Sequence, residues 1–462
     1  PSLTAFCSMK LVPSMLAFCS PVAALLSSPH LAVSRSAVPI SRSAQSRVLA
    51  VASLPRVGVA PQDAWVADTN LDQFREECAA LGKRLEKEQG EADVKHLHKI
   101  VRWSNLCGLV GVLSMWAAPN PLSIVALSTW TMSRWTMIAH HTCHGGYNRQ
   151  DDGTGRFTSV GFAIGSLRKR VMDWFDWMLP EAWNVEHNNL HHFRLGELGD
   201  PDLVERNLAT LRDMRIPKPL KYVWVGVMAC IWKWYYYAPN TYKQLKIQEY
   251  KKANGGTLPE DVDEHEPFVI TKFADGSTEA HSLGWGFRDY VAKVAGPYIF
   301  LRFLALPLPF LFFGPTFYTN ALKNILLADV LSNIHSFVVI STNHAGEDLY
   351  KFEGSVTPKS GSFYMRQVVS SVNFKTGGDV NDFLHGWLNY QIEHHAWPQL
   401  SMLSYQKAAP ELKKICEKHG VPYVQENVFI RLKRTADIMV GATSMREFKP
   451  EWNRKEDAFI WK

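Results

Sequence analysis

The sequence predicts an all-α integral membrane protein, with four transmembrane helices in two hairpins and a helical cap that carries a histidine-rich site. Three observations lead there. The 462 residues include 16 Trp, 15 Tyr and 24 Phe, and Trp and Tyr are favoured at membrane–water interfaces. Mean hydropathy is only −0.14, so a few spans must carry a large polar part. Apolar stretches come in close pairs, and histidines cluster beside their ends. The 46 % hydrophobic content excludes a disordered or collagen-like chain. Seven Cys without a C-x-x-C pair give neither a disulfide framework nor a zinc finger, and a reducing compartment is expected.

Residues 1–62 hold no Asp or Glu, five basic residues and twelve Ser. That is the composition of an organelle transit peptide. The apolar run Leu11–Leu26 suits a secretory segment ahead of it, the two-part leader of a plastid acquired from a second engulfed cell. The chain opens at Pro1, so translation is expected to start upstream or at Met9 or Met15. Without those five cations the remainder has 45 Lys and Arg against 44 Asp and Glu, and charge gives no argument for nucleic acid. Residues 63–100 read as a segment on the cap side.

The first hairpin is 103–118 and 121–139, joined by Pro119-Asn120-Pro121. A span needs about 20 apolar residues and at least about 17, so its first arm is short. The second hairpin is 296–318 and 321–342. Its first arm contains Arg302, which must snorkel or find a partner. Its second arm contains Lys323, Asp329, Asn333 and His335, and ionisable groups in a span point to a site rather than to lipid. Residues 222–238 read as an interfacial helix, 240–295 as a polar loop or insertion, and 402–462 as a soluble helical tail. Each hairpin returns the chain to the side it left. Residues 64–102, 140–295 and 343–462 therefore share one face.

Ten of the 17 His fall in four stretches on that face. They are His140-His141-Thr142-Cys143-His144, His187-Asn188-Asn189-Leu190-His191-His192, Asn343-His344, and Gln391-Ile392-Glu393-His394-His395 with His385 upstream. Residues i and i+4 share a helix face, so His140 can chelate with His144, and His187 with His191. His192 points about 100° away, toward a second metal. Gln391, His394 and His395 stand at i, i+3 and i+4, and His344 can join them. Asp329 and Asn333 are expected to line a cavity. His141 and Cys143 read as neighbours and packing. Imidazoles without thiolates suit iron, copper or zinc. Zinc usually takes three or four ligands, so eight imply two metals, and dioxygen chemistry selects iron.

The pattern H-x-x-x-H, H-x-x-x-H-H, Q-x-x-H-H resembles the membrane fatty acid desaturases, and the Gln box is similar to their front-end branch. Asp200-Pro201-Asp202 after the second box, Leu388-Asn389-Tyr390 before the third, Pro398, and the stretch from Tyr405 to Tyr423 extend the likeness over about 100–435. The resemblance implies a desaturase domain over 101–435 and a tail over 436–462. It implies that His140, His144, His187, His191, His192, His344, His394 and His395 bind two irons, and that Gln391 matters for activity. The implied reaction is dioxygen-dependent removal of two hydrogens from a lipid-linked acyl chain, leaving a cis double bond. Glu186, Asn188, Glu393, Asp200 and Asp202 are candidates to hold the outer imidazole nitrogens.

Two departures stand out. Many front-end enzymes carry a fused cytochrome with a His-Pro-Gly-Gly motif that is not found here, so electrons are expected from a separate ferredoxin or cytochrome. Ala396-Trp397 replaces the usual apolar pair after the third box. The leader points to a plastid membrane, with the endoplasmic reticulum as the alternative. The competing functions are a membrane hydroxylase, ketolase or epoxidase with the same cage, and, more remotely, a metal transporter.

Overall fold

The computed structural model describes residues 60–150 and 153–461. The leader expected over 1–62 lies outside them, apart from its last three residues. Helix α1 (Leu71–Glu88) starts at Asn70, whose side chain accepts from the N–H groups of Asp72 and Gln73. It buries Phe74, Cys78, Leu81 and Leu85, a stripe at helical spacing. Helix α2 (Glu91–Ser114) begins polar and ends apolar, with Leu106, Leu109 and Leu113 more than half exposed. The chain reverses at Asn120, which accepts from the Ser123 N–H at 2.9 Å and so caps α3 (121–143).

Small residues let this first hairpin close. A Cβ on Gly111 of α2 would stand 2.6 Å from the Leu127 side chain of α3, and one on Gly108 would stand 2.8 Å from Trp130. α3 is regular over Pro121–Met132, opens into wide i→i+5 turns over Ser133–Ala139, and tightens at His140–Cys143. Helix α4 (180–194) does the same, with wide turns over Asn184–His191. Helices α5 (Lys218–Ala229) and α6 (Ala238–Ala253) follow. The polar stretch 240–295 was expected to be a loop, but its start is α6. Asn240, Thr241, Tyr242, Lys243 and Gln244 are buried there, held by partners such as the Asp263 and Glu266 carbonyls that accept from Lys243.

Two helical runs are long and apolar enough to cross a membrane, α7 (Phe287–Phe313) and the run Pro315–Asn343. The second contains α8 (Pro315–Ile340), which packs along α3. α7 begins nine residues before the stretch the hydropathy marks. Among the later helices are α9 (Gly361–Val369), α10 (Gln391–Ala396), α11 (Met402–His419) and α12 (Val428–Met439). Four short strands correct the all-α expectation. Tyr350–Phe352 pairs in parallel with Arg446–Phe448, and Ser355–Val356 pairs antiparallel with Ala458–Phe459, tying the C-terminal stretch to the cap.

Asp329 and Asn333 of α8 bind other protein segments instead of lining a cavity, whereas Lys323, expected to point to a site, is exposed. Asp329 accepts from Trp177 Nε1 at 2.8 Å and from the Tyr298 hydroxyl at 2.7 Å. Arg302 Nε lies 3.8 Å from the same carboxylate, so the cation in α7 finds a partner and does not snorkel. Asn333 accepts from the Lys233 N–H, and Lys233 Nζ reaches Asp176 Oδ2 at 2.9 Å. All four charged groups, Arg302, Asp329, Lys233 and Asp176, are buried. Breaking a buried pair strands a charge and costs about 3–5 kcal/mol. Asp329→Ala is therefore expected to lower the thermal midpoint of the detergent-purified protein steeply, and Asp329→Asn, which keeps an acceptor for Trp177, to lower it less.

Candidate metal centre

The wide turns set the histidine geometry. In a regular helix, residues five apart point about 140° from each other. The i→i+5 turns of α4 bring His187 and His192 to one side, their Nε2 atoms 3.2 Å apart. The donors thus group differently from the spacing argument. His140, His144, His187, His192 and His394 offer ligand atoms that all lie within 4.8 Å of one another. His191, His344 and His395 form a second such group. His192 therefore joins the first group and His191 the second, against the regular-helix expectation for His192, while His187 and His191 remain close enough to form a third, overlapping set with Asp202. The His192 and His395 rings stack at 4.3 Å, so the groups adjoin.

All eight sequence-selected histidines are brought together, with Gln391 beside them. Its amide donates to His344 Nε2 at 2.9 Å and to His395 Nε2 at 3.1 Å. His385, upstream of the third box, joins neither group and donates to the Asn381 carbonyl at 2.8 Å. His141 donates to the Met137 carbonyl, and Cys143 is buried.

The donor set fits metal. In the first group four Nε2 atoms close a ring, with His140–His394, His140–His187, His187–His192 and His192–His394 separations of 2.7, 3.1, 3.2 and 3.1 Å. Such spacing matches the edge of a coordination sphere with metal–imidazole bonds of about 2.0–2.1 Å. His144 Nε2 and Gln391 Oε1 are buried with no protein partner. Burial pushes His187, His192, His394 and His395 well below the usual imidazole range, so they are neutral donors, as ligation requires.

Outer contacts orient several rings. His191 Nδ1–H donates to Asp200 at 2.8 Å, leaving Nε2 free for the cage. Burial lowers this imidazole, but Asp200 overrides it and raises the net value. His344 donates to the Ser370 carbonyl at 3.3 Å, and His394 to the Tyr405 hydroxyl oxygen at 3.2 Å. Trp183 stacks on His187 at 4.5 Å. Of the acidic and amide candidates, only Asp200 takes a direct hydrogen bond from a cage imidazole. Asn188 donates to Asn184 Oδ1, and Glu393 accepts from Asn373 and Tyr423 at 2.7 Å each. Glu186 is buried beside Asp202 and accepts from no cage imidazole, its carboxyl pushed well up by burial and by Asp202 and Asp200. Trp183 was legible as the i−4 neighbour of His187, whereas Tyr405 carried no sequence signal for its role.

An apolar cavity of about 150 Å³ leads to the cage. Val225, Met228, Trp232 and Phe337 line it, and it meets a smaller space floored by His140, His187, His191 and Gln391. Asp202, Tyr237, Ile340 and His344 border both, so they mark the junction. An apolar channel ending on neutral imidazoles can present a hydrocarbon to a metal and keep water away.

These features define a class: a helical protein whose buried polyhistidine metal centre ends an apolar channel. A family model described as Fatty acid desaturase matches residues 114–427, and the chain belongs to the fatty acid desaturase family. It is accordingly an oxidoreductase acting on acyl chains. The "NADPH-dependent stearoyl-CoA 9-desaturase" of Mycobacterium tuberculosis is 22 % identical over 382 residues, 80 % of either chain. Shorter matches include the "Delta(8)-fatty-acid desaturase" of Euglena gracilis, 31 % identical over 113 residues, 24 % of this chain and 26 % of that one. The "Acyl-lipid (7-3)-desaturase" of Rebecca salina is 33 % identical over 149 residues, 29 % of this chain and 31 % of that one. No solved structure gives a significant match.

Burial raises the Glu393 carboxyl from 4.5 to about 7, against the pull of Asn373 and Tyr423. The folded state therefore holds this proton more tightly than the unfolded one, and stability falls as pH rises between those values. In metal-free protein the thermal midpoint is expected to drop from pH 5 to pH 8, and Glu393→Gln to flatten that dependence.

Proposed function

We propose that the two histidine groups bind two irons and that the protein introduces a cis double bond of front-end type into a lipid-linked acyl chain. The carrying observation is the junction of the apolar cavity with both donor groups. In this reading His140, His144, His187, His192 and His394 hold one iron, and His191, His344 and His395 the other, with Gln391 at the second. Gln391 stands where the resemblance marks the front-end branch, and relatives with acyl-lipid and Delta(8) names support that branch.

The irons would supply dioxygen activation. The chain's own residues do the rest. Tyr237 and Ile340 hold the acyl chain at the junction so that two adjacent methylenes face the donors. Trp183 and Asp200 fix the His187 and His191 rings, and the apolar wall excludes water.

The finer assignments follow the same reading. Four spans, 103–118, 121–139, 296–318 and 321–342, are supported by the exposed apolar residues along α2, α3 and α7, such as Leu109, Leu122 and Phe300. The domain over 101–435 is preceded by a cap-side segment over 63–100 and followed by a tail over 436–462. The acid-free composition of 1–62 supports a plastid transit peptide and membrane. Electrons come from a separate donor protein, ferredoxin in that compartment.

Expression in yeast or a cyanobacterium with fatty acid profiling tests the reaction. The expected product is an acyl chain lighter by two hydrogens with the new bond on the carboxyl side of an existing one; a product heavier by one oxygen would replace this reading with hydroxylation. His187→Ala and His395→Ala, one from each group, are expected to abolish the product. Asp200→Asn is expected to weaken metal affinity about 10–100-fold, measured by chelator competition.

A further inference from the structure

The cavity opens beside α5, and this helix is unusual in what it leaves in the open. Trp224 and Met228 line the cavity and are partly exposed. The outer row of the same helix, Leu220, Val223 and Val227, is 57 %, 63 % and 56 % exposed. Met214 and Ile216, in the turn before it, are 50 % and 41 % exposed. A helix of this kind lies in the surface of a bilayer, its apolar row in the acyl region. It rests against the end of α8, whose Phe337 and Ile340 form the opposite cavity wall. A hydrocarbon in the leaflet on the cap side of that bilayer would meet Trp224 and Met228 without crossing water.

The approach to this helix is cationic. Four cations lie over 212–221, against the single acid Asp213. Two are consumed internally: Arg212 holds Glu205 and the C-terminal stretch at Ser444, and buried Lys221 donates to the Arg212 carbonyl at 2.6 Å. Arg215 and Lys218 are exposed, and neither takes part in an ion pair or side-chain hydrogen bond among the described residues. Lys218 precedes Val225, a buried cavity residue, by two helical turns, about 10 Å along the axis. That is the length scale of a glycerol phosphate.

We propose that Arg215 and Lys218 form the headgroup subsite for a membrane phospholipid, holding its phosphate while its acyl chain enters sideways between Trp224 and Met228. The inference rests on the desaturase reading and adds to it the substrate's head group and its door. A guanidinium and an ammonium three residues apart in the chain suit a phosphodiester by charge better than an uncharged sugar headgroup. A water-soluble acyl thioester would also offer phosphate, but it gives no reason for the exposed apolar row that leads to the mouth.

The test uses the full chain in nanodiscs of phosphatidylglycerol and digalactosyl diacylglycerol in equal parts, with retained lipids counted by native mass spectrometry. Wild type is expected to retain the phospholipid in clear excess. Arg215→Gln/Lys218→Gln is expected to lose that preference, while the charge-keeping Arg215→Lys/Lys218→Arg and the remote control Lys83→Gln retain it. Apparent KM for the phospholipid-bound acyl chain is expected to rise about fivefold for each cation removed, with kcat unchanged. An unaltered preference in the glutamine variant overturns the proposal, as does conversion of a soluble acyl thioester in place of the phospholipid. Failure of the desaturase reading looks different: no acyl chain loses hydrogen in any lipid, whatever the retention pattern.

Discussion

The fold is organised around one electrostatic constraint. Eight imidazole nitrogens point into two small volumes with water excluded, and lone pairs at such spacing repel unless a cation lies among them. Neutral rings make the crowd tolerable, and burial holds His187, His192, His394 and His395 neutral, while Asp200 pulls His191 the other way. Everything that fixes these rings comes from outside the cage. α3, α4, the end of α8 and α10 each supply one or more donors, so all four must hold their relative positions to within bonding tolerance.

That demand explains several costly features nearby. The wide turns of α3 and α4 replace regular helix where the donors sit, giving up standard hydrogen bonding to aim His140, His187 and His192. Buried ion pairs at α8 do not favour stability over an apolar core. They do fix register, since Asp329 gathers Trp177, Tyr298 and Arg302 from two other segments, and Asn333 anchors Lys233. Trp397, the departure from the family pattern after the third box, packs into the notch left by Gly82 of α1. A Cβ there would stand 2.3 Å from the indole nitrogen. The indole thus faces the N-terminal helix, away from the substrate path.

What was legible in the sequence follows the range of each interaction. Helical spacing and span ends were enough to select His140, His144, His187, His191, His192, His344, His394, His395 and Gln391, because ligand chemistry depends on residue type and short-range periodicity. Their sorting into two groups was not legible, because periodicity assumes 3.6 residues per turn and α4 departs from it exactly where it matters least to hydropathy. The first hairpin was readable from Pro119-Asn120-Pro121, while α6 was not, since its buried face includes Asn240, Lys243 and Gln244, which meet partners twenty or more residues away. Asp329 and Asn333 were rightly marked as pointing away from lipid, but which protein groups they meet is a tertiary fact. The strands that tie down 446–459 are two or three residues long, too short for any alternation to show.

The central claim is that two adjacent groups of imidazoles each hold a redox-active metal. X-ray absorption at the iron edge, with metal analysis of the same purified sample, tests it most directly. The account predicts two irons per chain, in a coordination shell dominated by imidazole nitrogen and free of sulfur. One iron per chain, or a shell dominated by oxygen or sulfur, would contradict it.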